Sequence, residues 1–249
     1  MTRYDDNMRR YESELTPGWG SVADATVETR ADFIRKTYVH LVGAVLAFIA
    51  LESAMFALVP RETKLAIVDL MMGSYLTWIL IVFAFMGISV MADRMARSAT
   101  GPTMQYGGLA IYVLAWTILI FPLLVIASYY SPPNTIATAA LVTAIIFAAL
   151  TAFVFITRSD FSWLGGILYV CMGAAIAVML AGWLFGFTLG LWFIVPMILV
   201  ASGYILFHTS ALIHQYQPGQ HVAASLALFS SVALLFWYVL QLIMSLQRD

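Results

Sequence analysis

The chain has 249 residues, of which 62% are hydrophobic and 10% charged, with a formal net charge of −1 and a mean hydropathy of +0.91. A water-soluble domain carries about 25% charged residues, so a soluble fold is excluded and the composition is that of an all-α polytopic membrane protein. The near-zero charge gives no argument for nucleic acid, and the lipid bilayer is the first expected partner.

Residues 1–31 are polar, with six carboxylates and four arginines and no apolar core of the kind a cleavable signal needs. They read as a flexible cytoplasmic tail too poor in apolar side chains to fold alone, serving as a topogenic leader or as a docking segment. Residues 32–249 read as one transmembrane bundle. A spanning helix needs about 20 apolar residues, and seven runs qualify: 37–59, 67–92, 105–128, 135–157, 163–185, 191–213 and 222–246. Between them lie proline, glycine and charge, as in Pro60-Arg61-Glu62, Ser131-Pro132-Pro133-Asn134 and Arg158-Ser159-Asp160, which end helices at an interface.

Orientation follows from lysine and arginine in the flanks. With the N-terminus inside, the cytoplasmic side holds nine of them, Arg3, Arg9, Arg10, Arg30, Arg35, Lys36, Arg94, Arg97 and Arg158, against three outside, Arg61, Lys64 and Arg248. An odd number of spans then puts the C-terminus outside.

Ionisable residues within a span cost roughly 2.5–3.5 kcal/mol on insertion scales, so each needs a reason. Glu52 in the first span and Asp69 at the outer start of the second both fall toward the outer side. They read either as a paired-carboxylate access point for protons or cations, or as a hydrogen-bonded buried acid and a snorkelling one. On the inner side are His40 in the first span and His208 in the sixth, with Ser231 at comparable depth in the seventh. A histidine there is either a titrating switch or a polar packing contact between helices.

The single Cys171 has no partner for an intrachain disulfide and reads as a packing residue. His208, His214 and His221 recur at sevens, but Pro218-Gly219 interrupts any common helix, so no metal site is expected. With no nucleophile motif or phosphate loop, no catalytic residue or cofactor is expected, and the chain does not read as an enzyme.

Four stretches carry a family resemblance. Residues 157–173, TRSDFSWLGGILYVCMG, present Arg158, Phe161, Leu164, Gly165 and Gly166 at a helix junction. Residues 203–216, GYILFHTSALIHQY, are followed by ASLALFSSVALLF at 224–236, and the first span opens with FIRKTYVHLVGAVLAF at 33–48. Together these resemble the Bax inhibitor family of membrane proteins over about residues 30–247. The resemblance implies a seven-helix bundle with a central helix wrapped by six others. In many members an acidic residue follows the phenylalanine of helix six and another sits in helix seven, a pair linked to a pH-dependent calcium leak. Here His208 follows Phe207, and Ser231 stands at the second position.

Histidine and serine cannot share a proton as two carboxylates do. The last two helices look more like the family's bacterial YccA-like branch. That likeness implies an inner-membrane protein that modulates a membrane-anchored AAA protease and the protein-translocation channel, with residues 1–31 as the segment handled. The alternative it leaves is a pH-sensitive cation (calcium) or proton leak through a non-standard His208/Ser231 site.

Overall fold

The structure, a computed structural model, describes Val22, residues 25–98 and residues 101–247. Among these residues it contains eight helices: α1 (Val27–Leu58), α2 (Arg61–Met72), α3 (Tyr75–Ala96), α4 (Pro102–Tyr130), α5 (Thr135–Thr157), α6 (Leu164–Phe185), α7 (Gly190–His214) and α8 (His221–Leu246). All but α2 are long and apolar enough to cross a membrane, which makes seven spans.

Two differences from the expected boundaries are the largest. The first helix begins at Val27 rather than 37, so residues 27–31, expected as tail, are helical. Apolarity marks where the membrane begins, but helix continues for as long as the backbone is supported. Here the Thr26 hydroxyl caps the Thr29 amide, and Asp32 pairs with Arg35 at 3.0 Å and Lys36 at 2.6 Å. Residues 1–21, 23 and 24 of the expected tail lie outside the described residues.

The second difference lies in the run expected at 67–92. It is broken at Gly73-Ser74, so that α2 is a short separate helix and α3 alone makes the crossing. Gly73 closes α2 where a Cβ would collide with the Asp69 carbonyl oxygen, and Ser74 is extended.

The other turns follow from local chemistry. Pro102 sits in the first turn of α4, where its missing N–H costs nothing. Gly186 ends α6 in the left-handed conformation, with φ 72°. Asn134 and Arg158 are the two non-glycine residues with positive φ among the described residues, one at each end of α5.

Two helices form the core. Of their apolar windows, 72% of α4 and 61% of α8 is buried, while the other spans turn most of their surface to lipid. α8 packs directly against α1, α3, α4, α5 and α7, and α6 joins the bundle mainly through α7. Close approach between α3 and α4 depends on Gly108, where a Cβ would lie 2.6 Å from the Ala92 carbonyl oxygen. Gly108→Val is therefore expected to cost about 1–3 kcal/mol, as overpacking does. A fall in the thermal midpoint of the detergent-solubilised protein checks it.

All spans alternate in direction, so one end of the bundle collects Arg35, Lys36, Arg94, Arg97 and Arg158. We refer to it as the basic end.

Candidate functional site

A cleft of about 950 Å³ runs along α3 from Ser74 to Arg97 and is walled by α4, α6, α7 and α8. Most of its wall is aromatic or aliphatic, with Trp78 stacked on Trp237 at 5.6 Å and Phe85 edge-on to Trp116 at 4.9 Å. Its charged groups, Asp93, Arg94 and Arg97, lie toward the basic end with His208, Ser230 and Ser231, while Ser74 and Gln241 line the opposite end.

The cleft brings His208 and Ser231 to one space without bonding them to each other. The His208 ring lies between Tyr204, stacked at 5.7 Å, and Phe207 at 5.1 Å, and makes no hydrogen bond among the described residues. Ser231 is buried and donates its hydroxyl to the Ala227 carbonyl, 3.0 Å away on its own helix. Its neighbour Ser230 accepts from the Tyr112 hydroxyl at 2.7 Å.

At the basic end, Arg97 Nε reaches both carboxylate oxygens of Asp93, each at 2.9 Å. The same guanidinium lies over the Tyr216 ring at 5.3 Å and reaches its hydroxyl at 3.4 Å. Tyr216 is buried in the α7–α8 connection, against Phe33 of α1, and its carbonyl accepts from the Val22 amide at 2.8 Å. Val22 itself is fully buried, and Arg30 Nε donates to its carbonyl at 3.4 Å. Arg94, one turn from Arg97, has no ion-pair or hydrogen-bond partner among the described residues and is exposed at the mouth of the cleft.

The other three sequence candidates lie elsewhere. Glu52 is buried in α1, and neither of its oxygens has a partner among the described residues. Asp69 is exposed on α2, so the break at Gly73 puts it on a different helix from the one expected, and no bond joins it to Glu52. Neither carboxylate lines the cleft. His40 lies at the basic end, with Nε2 2.9 Å from the Tyr106 hydroxyl and its ring 4.9 Å from that of His221, also outside the cleft.

Several residues escaped the sequence reading. Lys64, counted only as a surface charge, is buried and donates from Nζ to the Phe56 carbonyl at 2.6 Å, closing the last turn of α1. Asp93 and Tyr216 lie 123 residues apart in sequence, and no local pattern joins them. Ser210 is buried and accepts from the Phe161 amide at 2.9 Å, tying α7 to the α5–α6 connection. Asp160 and His214 stand near it, at 3.5 Å and 3.4 Å from its hydroxyl. This is not a catalytic triad, because the carboxylate reaches the serine rather than the histidine.

Asp160 accepts from the Ser162 amide at 2.9 Å, and its hydrogen bonds with Ser162 hold its carboxyl below the ordinary 3.8. A lowered carboxyl stabilises the folded loop above its unfolded value, and that contribution is lost as pH falls through the folded value. Amide exchange at Ser162 should therefore rise in acid below about pH 4 in the native protein and be pH-independent in Asp160→Asn apart from the intrinsic rate. Among the described residues, no three His, Cys, Asp or Glu side chains gather as metal ligands would.

A family model described as inhibitor of apoptosis-promoting Bax1 matches residues 30–248. The chain belongs to the Bax inhibitor family. It is 30% identical over 240 residues to Bax inhibitor 1 of Schizosaccharomyces pombe, covering 92% of this chain and 82% of that protein. It is also 28% identical over 221 residues to an uncharacterized protein of Pseudomonas aeruginosa, covering 84% of this chain and 87% of that one. No solved structure matches it significantly. This member of the Bax inhibitor family is a multi-pass membrane protein, and its His208 and Ser231 share one cleft.

Proposed function

We propose that this chain is an integral membrane regulatory protein that modulates a membrane-anchored AAA protease, and with it the quality control of membrane proteins and of the protein-translocation channel. In this reading residues 1–31 are its handle. The observation that supports it most is the docking of buried Val22, within that segment, on the Tyr216 carbonyl at the basic end. In this reading the membrane is a bacterial inner membrane, that end is cytoplasmic, as the lysine and arginine bias favours, and the C-terminus is outside. A handle at that end would be within reach of a protease that draws in its substrates from the cytoplasmic face.

The charges of the cleft weigh the same way. Its one carboxylate, Asp93, is engaged by Arg97, and Arg94 adds positive charge, a poor lining for calcium. Copurification from native membranes tests the reading. The full chain should bring the protease with it, and a chain lacking residues 2–21 should not. Equal recovery by both would refute it.

A second reading, a pH-sensitive cation or proton leak, is favoured by one observation, the reach of the cleft to both His208 and Ser231. Arg94, Arg97 and Asp93 would set its charge balance together with the imidazole. In vesicles between about pH 6 and 8, where histidine changes charge, it requires calcium or proton flux above that of empty vesicles and altered by His208→Ala. Flux equal to that of empty vesicles rules it out.

A further inference from the structure

We propose that the cleft is a binding site for an anionic phospholipid of the leaflet at the basic end, with the phosphate on Arg94 and one acyl chain laid along α3. The inference is independent of the role of the tail. Three features carry it.

The first is shape. The cleft follows α3 for more than twenty residues, from Ser74 to Arg97. At 1.5 Å per residue this is roughly the thickness of the hydrocarbon core. Its volume lies at the upper end of ligand sites, and its deeper wall is built of Trp78, Trp116 and Trp237 with aliphatic side chains. A long, mostly apolar slot parallel to the bilayer normal fits an acyl chain.

The second is access from the side. α3 and α6 touch only lightly. In the seam between them a surface notch is lined by Ile79, Val82, Met86, Ile176 and Met179, the same residues that line the cleft from within. The wall at this seam is thus one side chain thick and faces lipid, so a chain can enter by parting flexible methionine and isoleucine side chains.

The third is charge. The charged side chains lie at one end of the slot, where lipid headgroups lie, and the groups that line its other end, Ser74 and Gln241, are neutral. Arg94 has no ion pair or hydrogen bond among the described residues, whereas Arg97 is committed to Asp93. The Tyr169 hydroxyl and the His208 ring, on α6 and α7, also line the cleft without hydrogen-bond partners among the described residues. An unpaired guanidinium beside an apolar slot is complementary to a phosphodiester above an acyl chain, as in basic pockets between transmembrane helices. A zwitterionic lipid would bring its own cation to Arg94 and gain less.

The full-length protein can be tested by native mass spectrometry after incubation with an equimolar mixture of dioleoyl phosphatidylglycerol and dioleoyl phosphatidylcholine in detergent. The expected result is selective retention of one phosphatidylglycerol. Arg94→Ala should lower that retention about fivefold, the worth of one arginine at a headgroup, with an unchanged thermal midpoint. Met179→Trp, which fills the seam without touching the charge, should lower retention of both lipids. Equal retention of the two lipids by the native protein would overturn the proposal. So would undiminished binding in Arg94→Ala, oleate retained in place of phospholipid, or a dimer that carries no lipid.

Discussion

Glu52→Leu is expected to raise the stability of the bundle, by about 1–3 kcal/mol, the cost of a buried polar group without a hydrogen bond. Substituting a buried residue normally destabilises. Here the native carboxyl is 5% exposed on α1, the helix that packs on α4 and α8, and both its oxygens lack partners among the described residues. Leucine fills a similar volume and removes the unmet demand, whereas Glu52→Gln keeps two polar atoms in the same place and should gain less. The order of unfolding midpoints in detergent, Leu above Gln and Gln above or near native, checks the argument. A midpoint for Glu52→Leu below that of the native protein would mean that the carboxyl has a partner after all. An acid kept within the membrane at a cost in stability is a functional candidate by that fact. The stabilised variant is therefore the right one to carry into flux and protease assays.

The second large effect concerns the clasp at the basic end. Tyr216→Ala removes a buried ring that touches Phe33 and carries the Arg97 guanidinium at 5.3 Å, and it leaves Val22 beside a void. Loss of a buried aromatic side chain costs about 3 kcal/mol or more. Tyr216→Phe loses only a hydroxyl contact at 3.4 Å, long for a hydrogen bond, and should cost less than about 1 kcal/mol. The two variants also differ in what happens to the tail. Hydrogen exchange at the Val22 amide should quicken strongly in Tyr216→Ala and hardly at all in Tyr216→Phe. Similar exchange in both would show that the ring does not hold this segment.

These two cases mark how far the sequence could be read. Seven apolar runs of spanning length are legible because about 20 consecutive apolar residues cross the bilayer core as a helix with every backbone group bonded internally, and the family was legible in particular stretches such as TRSDFSWLGG. The break at Gly73-Ser74 was hidden, since it falls inside an apolar run and is set by backbone conformation rather than by hydropathy. That hidden break puts Asp69 on α2, and of the two readings of Glu52 and Asp69 no bond between them supports the paired one. Helical depth brought His208 and Ser231 to the same level, and they do line one cleft. Depth says nothing of direction, however, and Ser231 turns its hydroxyl to its own helix. The cleft and the Arg97–Tyr216 clasp depend on which helices stand apart and which loops fold back, and no periodicity encodes either.

The claim that residues 1–31 carry a regulatory function is tested most directly by the degradation rate of a membrane-protein substrate. The substrate would be reconstituted in vesicles with a membrane-anchored AAA protease, with either the full chain or the chain lacking residues 2–21. The account predicts that the full chain lengthens the substrate half-life and that the shortened chain, with Val22 and the bundle intact, leaves it unchanged. Equal protection by both chains would contradict it.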